Sequence, residues 1–163
     1  MRARTVKIDP DASFGEAMGR ILGARLDELD SFAEDSQSPE NVTALHDMRI
    51  AAKRVRYVLE LGEPVMTGAK PRAKGAKRLQ DLLGEIHDCD ELLPLVRRHV
   101  KRLREEDAAA ATAGEALPNR RKYRGLEALR ALTVARRASL YDEFVAEWPK
   151  LRKAVGERTA VAA

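Results

Sequence analysis

Apolar side chains recur along most of this chain three and four residues apart, the period of an α-helix, and they do not alternate as strand residues would. The first such stretch predicts a helix over 13–34. Ser13 and Glu16 have the spacing of a capping box, and Phe14, Met18, Ile21, Leu22, Leu29 and Phe32 share a stripe, with Arg25 in its middle. Ser36 to Ser38 form a polar break. Ser38 then reads as an N-cap and Pro39 as the first residue of a second helix, which Gly62 and Pro64 end after Leu61. A third helix starts near Lys70 and runs through Leu93, where Pro94 should kink or break it before helix resumes over 95–111. After a loop over 113–118, a fourth helix spans 119–155. Its seam is Leu126, Leu129, Thr133, Leu140, Phe144, Trp148, Leu151 and Val155, and Pro149 is a kink point. Amphipathic helices with short connections predict an all-α fold: an antiparallel four-helix bundle over 13–155, preceded by an arm (1–12) and followed by a frayed tail (156–163).

Length and composition narrow this picture. The 163 residues suit one domain, and 44% hydrophobic with only 4% aromatic residues favours helix-on-helix packing over a β-sandwich. Cys89 is the only cysteine, so an intrachain disulfide is excluded and a reducing compartment fits. The opening residues are basic but lack the apolar core of a secretory signal, and no apolar run is long enough for a membrane span. A cytoplasmic protein that does not enter membranes is expected.

Charge changes the picture more by its placement than by its total. The net charge is only +4, yet bases crowd 49–56, 70–78, 97–104 and 120–124. On the second helix, Leu45, Met48, Ala52, Val55, Val58 and Leu59 share one face, while His46, Arg49, Lys53, Arg56 and Tyr57 share the other. From His46 to Arg56 this column is about 15 Å long. One phosphate needs two or three donors, so a column of this length suits an extended or repeating anion. Lys74, Lys77 and Arg78 continue the theme on the third helix, followed on the same side by Asp81, Glu85 and Asp88. Arg25, Asp90 and Arg137 fall on apolar stripes and Arg130 at the edge of one. Such charges either pair with one another, as Asp90 with an arginine of a neighbouring helix, or line a polar groove for the anion.

Catalytic readings are weaker. His87, Asp88 and Asp90 could suggest a divalent-metal site for phosphate chemistry, but they point in different directions from a regular helix. There is no P-loop, no HExxH and no Ser-His-Asp order, so no enzyme activity and no cofactor are expected. A non-specific nucleic-acid binder is the other alternative. It is disfavoured because no zinc knuckle, basic zipper or aromatic platform is present.

The run HDMRIAAKRVRYVLEL, with its H-x-x-R-x-x-x-K-R-x-R-Y pattern, is followed by KRLQDLLG at Lys77–Gly84, by L-G-x-x-x-D-x-D over Leu83–Asp90, and by Arg136-Arg137. Together these resemble the CHAD domain, the conserved-histidine α-helical domain, from about Phe14 to Val155. The resemblance implies a polyphosphate-binding helical domain in which two four-helix units pair about a pseudo-twofold axis, with basic residues lining the surface and pore between them. On that basis His46 is the name-giving histidine, Arg49, Lys53 and Arg56 contact the anion, and Arg54 belongs to the same motif. The resulting polyphosphate-binding candidates are His46, Arg49, Lys53, Arg54, Arg56, Tyr57, Lys74, Lys77, Arg78, Arg25, Arg130 and Arg137. The chain carries only one of the family's two units, which makes a homodimer a candidate assembly. Inorganic polyphosphate is the expected partner, and with it the resemblance implies association with polyphosphate granules.

Overall fold

A computed structural model of the chain describes residues 3–156 and contains helices but no strand among them. Four long helices, α1 (Phe14–Asp30), α2 (Val42–Leu61), α3 (Ala69–Thr112) and α4 (Arg120–Val155), are joined by short connections, one holding a 3₁₀ turn at Asp35–Gln37. The described part of the arm, residues 3–12, has no helix, and of the expected tail only Gly156 is described; 157–163 lie outside the described residues.

The start of α1 follows the sequence closely. Ser13 accepts from the Glu16 backbone N–H, and the Glu16 carboxylate accepts in return from the Ser13 N–H at 2.8 Å. This closes the capping box and holds the Glu16 carboxyl below its ordinary value, chiefly through the Ser13 hydrogen bonds. The start of α2 departs from the sequence reading. Asn41, not Ser38, is the N-cap, its Oδ1 accepting from the Ala44 N–H at 3.1 Å. The Ser38 hydroxyl is instead engaged with the Glu40 carboxylate at 3.0 Å, a local alternative to capping.

Pro94 and Pro149 do not break their helices. Both are exposed, so the carbonyl that each proline deprives of an N–H partner can turn to water.

The chain divides into two compact units. The first holds residues up to Gly84 together with those from Asp142 on. Here α1, α2, the first part of α3 and the last part of α4 pack as a bundle. Its core includes Leu22, Leu26, Leu29, Met48, Val55, Leu59, Leu79, Leu83, Phe144 and Val155. Full burial of each large apolar side chain stabilises by about 1.5–3 kcal/mol. Gly75 permits a close approach: a Cβ there would lie 3.2 Å from the Ala154 Cβ.

The second unit, Glu85–Tyr141, is a helical hairpin made from the rest of α3 and α4. Ile86, Cys89, Leu93, Val96, Val100 and Leu103 form its buried stripe on α3. Two helices cover less than four do. Leu129, expected in the seam of the fourth helix, is 40% exposed, and Leu132 is 69% exposed. The hairpin end is tied by Asp107, which accepts from the Asn119 N–H at 3.0 Å and from the Tyr123 hydroxyl. Burial and then the hydrogen bond to Asp107 push Tyr123 up to about 12.

Candidate functional site

The basic column of α2 is shaped by the helix's burial pattern. Ala44, Leu45, Met48, Ala51, Ala52, Val55, Val58 and Leu59 are buried, which takes up a wide arc of the helix. At 100° per residue, Arg49 and Arg56 fall roughly 20–40° from Leu45, at the margin of that arc, rather than at the centre of the exposed face. Lys53, Tyr57 and His46 lie farther out, and Lys53 and Tyr57 are exposed. Arg54 lies at the opposite margin. The sequence column is therefore split by depth: two half-buried arginines on one flank, exposed groups in the middle, and one arginine on the other flank.

The two flanks have different fates. Arg54 Nη1 donates to Glu28 of α1 at 2.7 Å, and Arg25 Nη1 donates to the other oxygen of the same carboxylate at 2.9 Å. Glu28 is 2% exposed and thus forms the buried centre of an Arg–Glu–Arg triad. Arg25 also donates to the Arg4 carbonyl of the arm at 2.9 Å. Arg25 and Arg54 are thereby held in the α1–α2 packing. Glu28 escaped the sequence reading, although an acid among the apolar positions of α1 was itself the signal.

Arg49 and Arg56 line the other flank, towards α3. The Arg49 Cδ lies 3.9 Å from where a Cβ of Gly84 would be, so its side chain runs across α3. The Nε atoms of Arg49 and Arg56 are buried and have no hydrogen-bond partner, and the same is true of Gln80 Oε1 on α3. Gln80 lies one turn before Gly84. With α2 and α3 antiparallel, this sets it level with Lys53, between the two arginines. Arg56 approaches Glu60 at 3.6 Å, and its guanidinium stacks 4.9 Å from the Tyr57 ring, while Lys53 Nζ lies 5.6 Å from that ring. No carboxylate among the described residues pairs with Arg49 or Lys53. The flank therefore presents cationic donors in excess of the protein's own acceptors. A neutral glutamine gives no charge signal in sequence, so Gln80 was not anticipated.

The other candidates are dispersed. Lys77 shares the Gln80–Gly84 side of α3 by helical position and pairs with Asp81. Arg78 is engaged by Glu143 and Glu147 of α4 and is held above its ordinary value, first by the Glu147 hydrogen bond. Lys74 is exposed. In the hairpin unit, Arg137 grips Asp90 through two hydrogen bonds, the shorter 2.7 Å, so the interior Asp90 pairs with an arginine of the neighbouring helix. Arg130 pairs with Glu127 at 2.8 Å. Among the described residues no group of three or more His, Cys, Asp or Glu could hold a metal ion, and no helix is long and apolar enough to cross a membrane.

No curated protein and no solved structure matches the chain. The CHAD domain profile matches residues 3–97, which takes in α1, α2 and the first part of α3 with the whole α2 column, and leaves Arg130, Arg136 and Arg137 outside it. Covering more than half of the 163 residues, this match makes the chain a member of the CHAD domain family.

Proposed function

We propose that the chain is a binding module for inorganic polyphosphate, held along α2 by Arg49, Lys53 and Arg56 with His46 and Tyr57 beside them, and that it does not cleave its ligand. The observation that carries this reading is the alignment of Arg49, Lys53 and Arg56 along α2, with no carboxylate among the described residues pairing with Arg49 or Lys53 and only the exposed Glu60, at 3.6 Å, near Arg56. Arg49 and Arg56 are seven residues apart, about 10.5 Å along the axis. That separation favours a ligand that repeats its charge over one that carries a single phosphate. The family's association with polyphosphate agrees with this, and the donor-rich flank gives the reaction chemistry no converging carboxylates to work with.

The ligand is tested by competition. A long polyphosphate chain, pyrophosphate and a single-stranded RNA are compared at equal molar concentration, across a salt series. The long chain should bind most tightly, and its affinity should fall steeply with salt as counterions are released. Pyrophosphate competing as well as the long chain would replace the column with a compact pocket, and RNA competing better would replace polyphosphate with nucleic acid. Phosphate release from the long chain in the presence of magnesium would overturn the non-catalytic reading.

A further inference from the structure

The hairpin unit repeats the residue pattern of α2. Arg49, Lys53 and Arg56 follow the order R-x-x-x-K-x-x-R, and Arg97, Lys101 and Arg104 on α3 follow the same order at the same spacing. At 100° per residue either trio forms one stripe about 10.5 Å long. The family match ends at residue 97, so Lys101 and Arg104 lie beyond it.

This second stripe borders a cavity. A groove of about 480 Å³, open to solvent, is lined by Arg97, Val100, Lys101 and Arg104 from α3 and by Glu127 and Arg130 from α4. That volume lies within the usual range of small-molecule sites. Val100 is almost fully buried and forms an apolar floor. Four bases and two carboxylates line the groove, the second carboxylate being Glu105, which leaves a surplus of positive charge.

The bases are also oriented. Glu127 accepts from Arg104 Nη2 at 3.0 Å and from Arg130 Nε at 2.8 Å, drawing guanidinium groups from two helices to one point. Arg130 foremost, then Arg104, keep the Glu127 carboxyl below its ordinary value, so it stays charged at neutral pH. The Arg104 guanidinium also stacks 5.9 Å from the Tyr123 ring, which is fixed through its hydroxyl to Asp107 and to the Leu103 carbonyl. A guanidinium has five N–H donors, and Glu127 uses one of each arginine, so most remain for a ligand. Lys101 reaches Glu105 only at 3.7 Å in an exposed pair, a contact worth little in water. No ion pair engages Arg97 among the described residues.

We infer that the groove between α3 and α4 in the hairpin unit is a second anion site, which takes a triphosphate group through Arg97, Lys101, Arg104 and Arg130. The length of the stripe suits a short condensed phosphate, and the two guanidiniums gathered by Glu127 suit closely spaced phosphate oxygens. The inference rests in part on the reading that this spacing on α2 binds polyphosphate, but the two sites are separable by mutation. The triphosphate can be inorganic or belong to a nucleotide, whose base would meet the Val100 floor.

Isothermal titration of the full chain with inorganic tripolyphosphate, and separately with ATP, tests it. The wild type is compared with R97Q/K101Q and with R49Q/K53Q/R56Q. Arg97 and Lys101 are exposed, so the first variant should keep the wild-type melting temperature. The expected result is two tripolyphosphates bound per wild-type chain, with one class of site weakened at least tenfold in R97Q/K101Q and the other retained there. R49Q/K53Q/R56Q should retain the class that R97Q/K101Q weakens. ATP binding this class more tightly than tripolyphosphate assigns a nucleotide, and the reverse order assigns the inorganic ligand. A wild-type stoichiometry of one, abolished by R49Q/K53Q/R56Q and unchanged in R97Q/K101Q, would overturn the second site and leave the α2 site standing. Binding lost in R97Q/K101Q but unaffected by R49Q/K53Q/R56Q would remove the α2 reading and keep this one.

Discussion

Glu28 should be among the most costly polar residues to change in the bundle, and Glu28→Gln measures how costly. Its carboxylate is almost fully buried, with hydrogen bonds of 2.9 Å to Arg25 and 2.7 Å to Arg54. Removing the central charge strands two guanidiniums whose side chains are 13% and 24% exposed. Breaking one partner of a buried pair typically costs about 3–5 kcal/mol. Because both arginines keep partial access to water and Arg25 keeps the Arg4 carbonyl, the low end applies, about 3 kcal/mol. At a urea slope of about 2 kcal/mol/M, that lowers the unfolding midpoint by roughly 1.5 M. The companion variant R25M/E28L/R54L replaces the triad by apolar side chains and should recover most of the loss, since a buried triad is worth little against well-packed hydrophobic residues. Urea unfolding followed by far-UV circular dichroism reads both. A loss below about 1 kcal/mol in Glu28→Gln, or an apolar triple variant less stable than the single one, would refute the assignment of Glu28 as the buried centre of a triad.

Three further outcomes follow from other parts of the molecule. Cys89 is buried, and desolvation is the first cause raising its thiol, so little thiolate exists near neutral pH; its reaction with a thiol reagent should be slow in the folded protein, rise towards alkaline pH, and become fast on unfolding in urea. Ser13→Ala removes the side-chain half of the α1 capping box, leaving the backbone N–H of residue 13 on the Glu16 carboxylate, and should cost about 1 kcal/mol, read from the same urea transitions, with no change in polyphosphate affinity. Because the family resemblance implies two paired four-helix bundles, light scattering should show a dimer strengthened by polyphosphate, and a monomer at saturating ligand would mean that one bundle suffices.

Much of the fold was legible in the pattern of apolar positions, because helical period and capping chemistry are local. Ser13 with Glu16, Gly62, and the ends of α2 and α4 lie where the sequence sets them. The start of α2 was misplaced because Ser38 has an acceptor two residues on, a competition that cap preferences do not show. The chain's division was not legible: continuous helices such as α3 carry the same period through both units, so nothing local marks Gly84 as a boundary. Of the site, the α2 cations were readable from type and spacing. Their depths were passed over by grouping them on one face, although Arg49 and Arg56 lie only about 20–40° from Leu45 by helical position, at the margin of the apolar arc, and Lys53 lies farther out. Arg25 and Arg54 looked like further ligands because their partner Glu28 is brought to Arg54 by tertiary packing.

The central claim is that the α2 flank holds the polyanion, and neutralising it is the most direct test. R49Q/K53Q/R56Q is preferred to charge reversal because Arg49 and Arg56 are half-buried, and new carboxylates there would perturb the packing. Affinity for a long polyphosphate chain is measured beside circular dichroism and the melting temperature. At roughly 1 kcal/mol or more for each base lost, affinity should fall by about 100-fold or more with helicity unchanged. Affinity within threefold of wild type in a variant that is still folded would contradict the account.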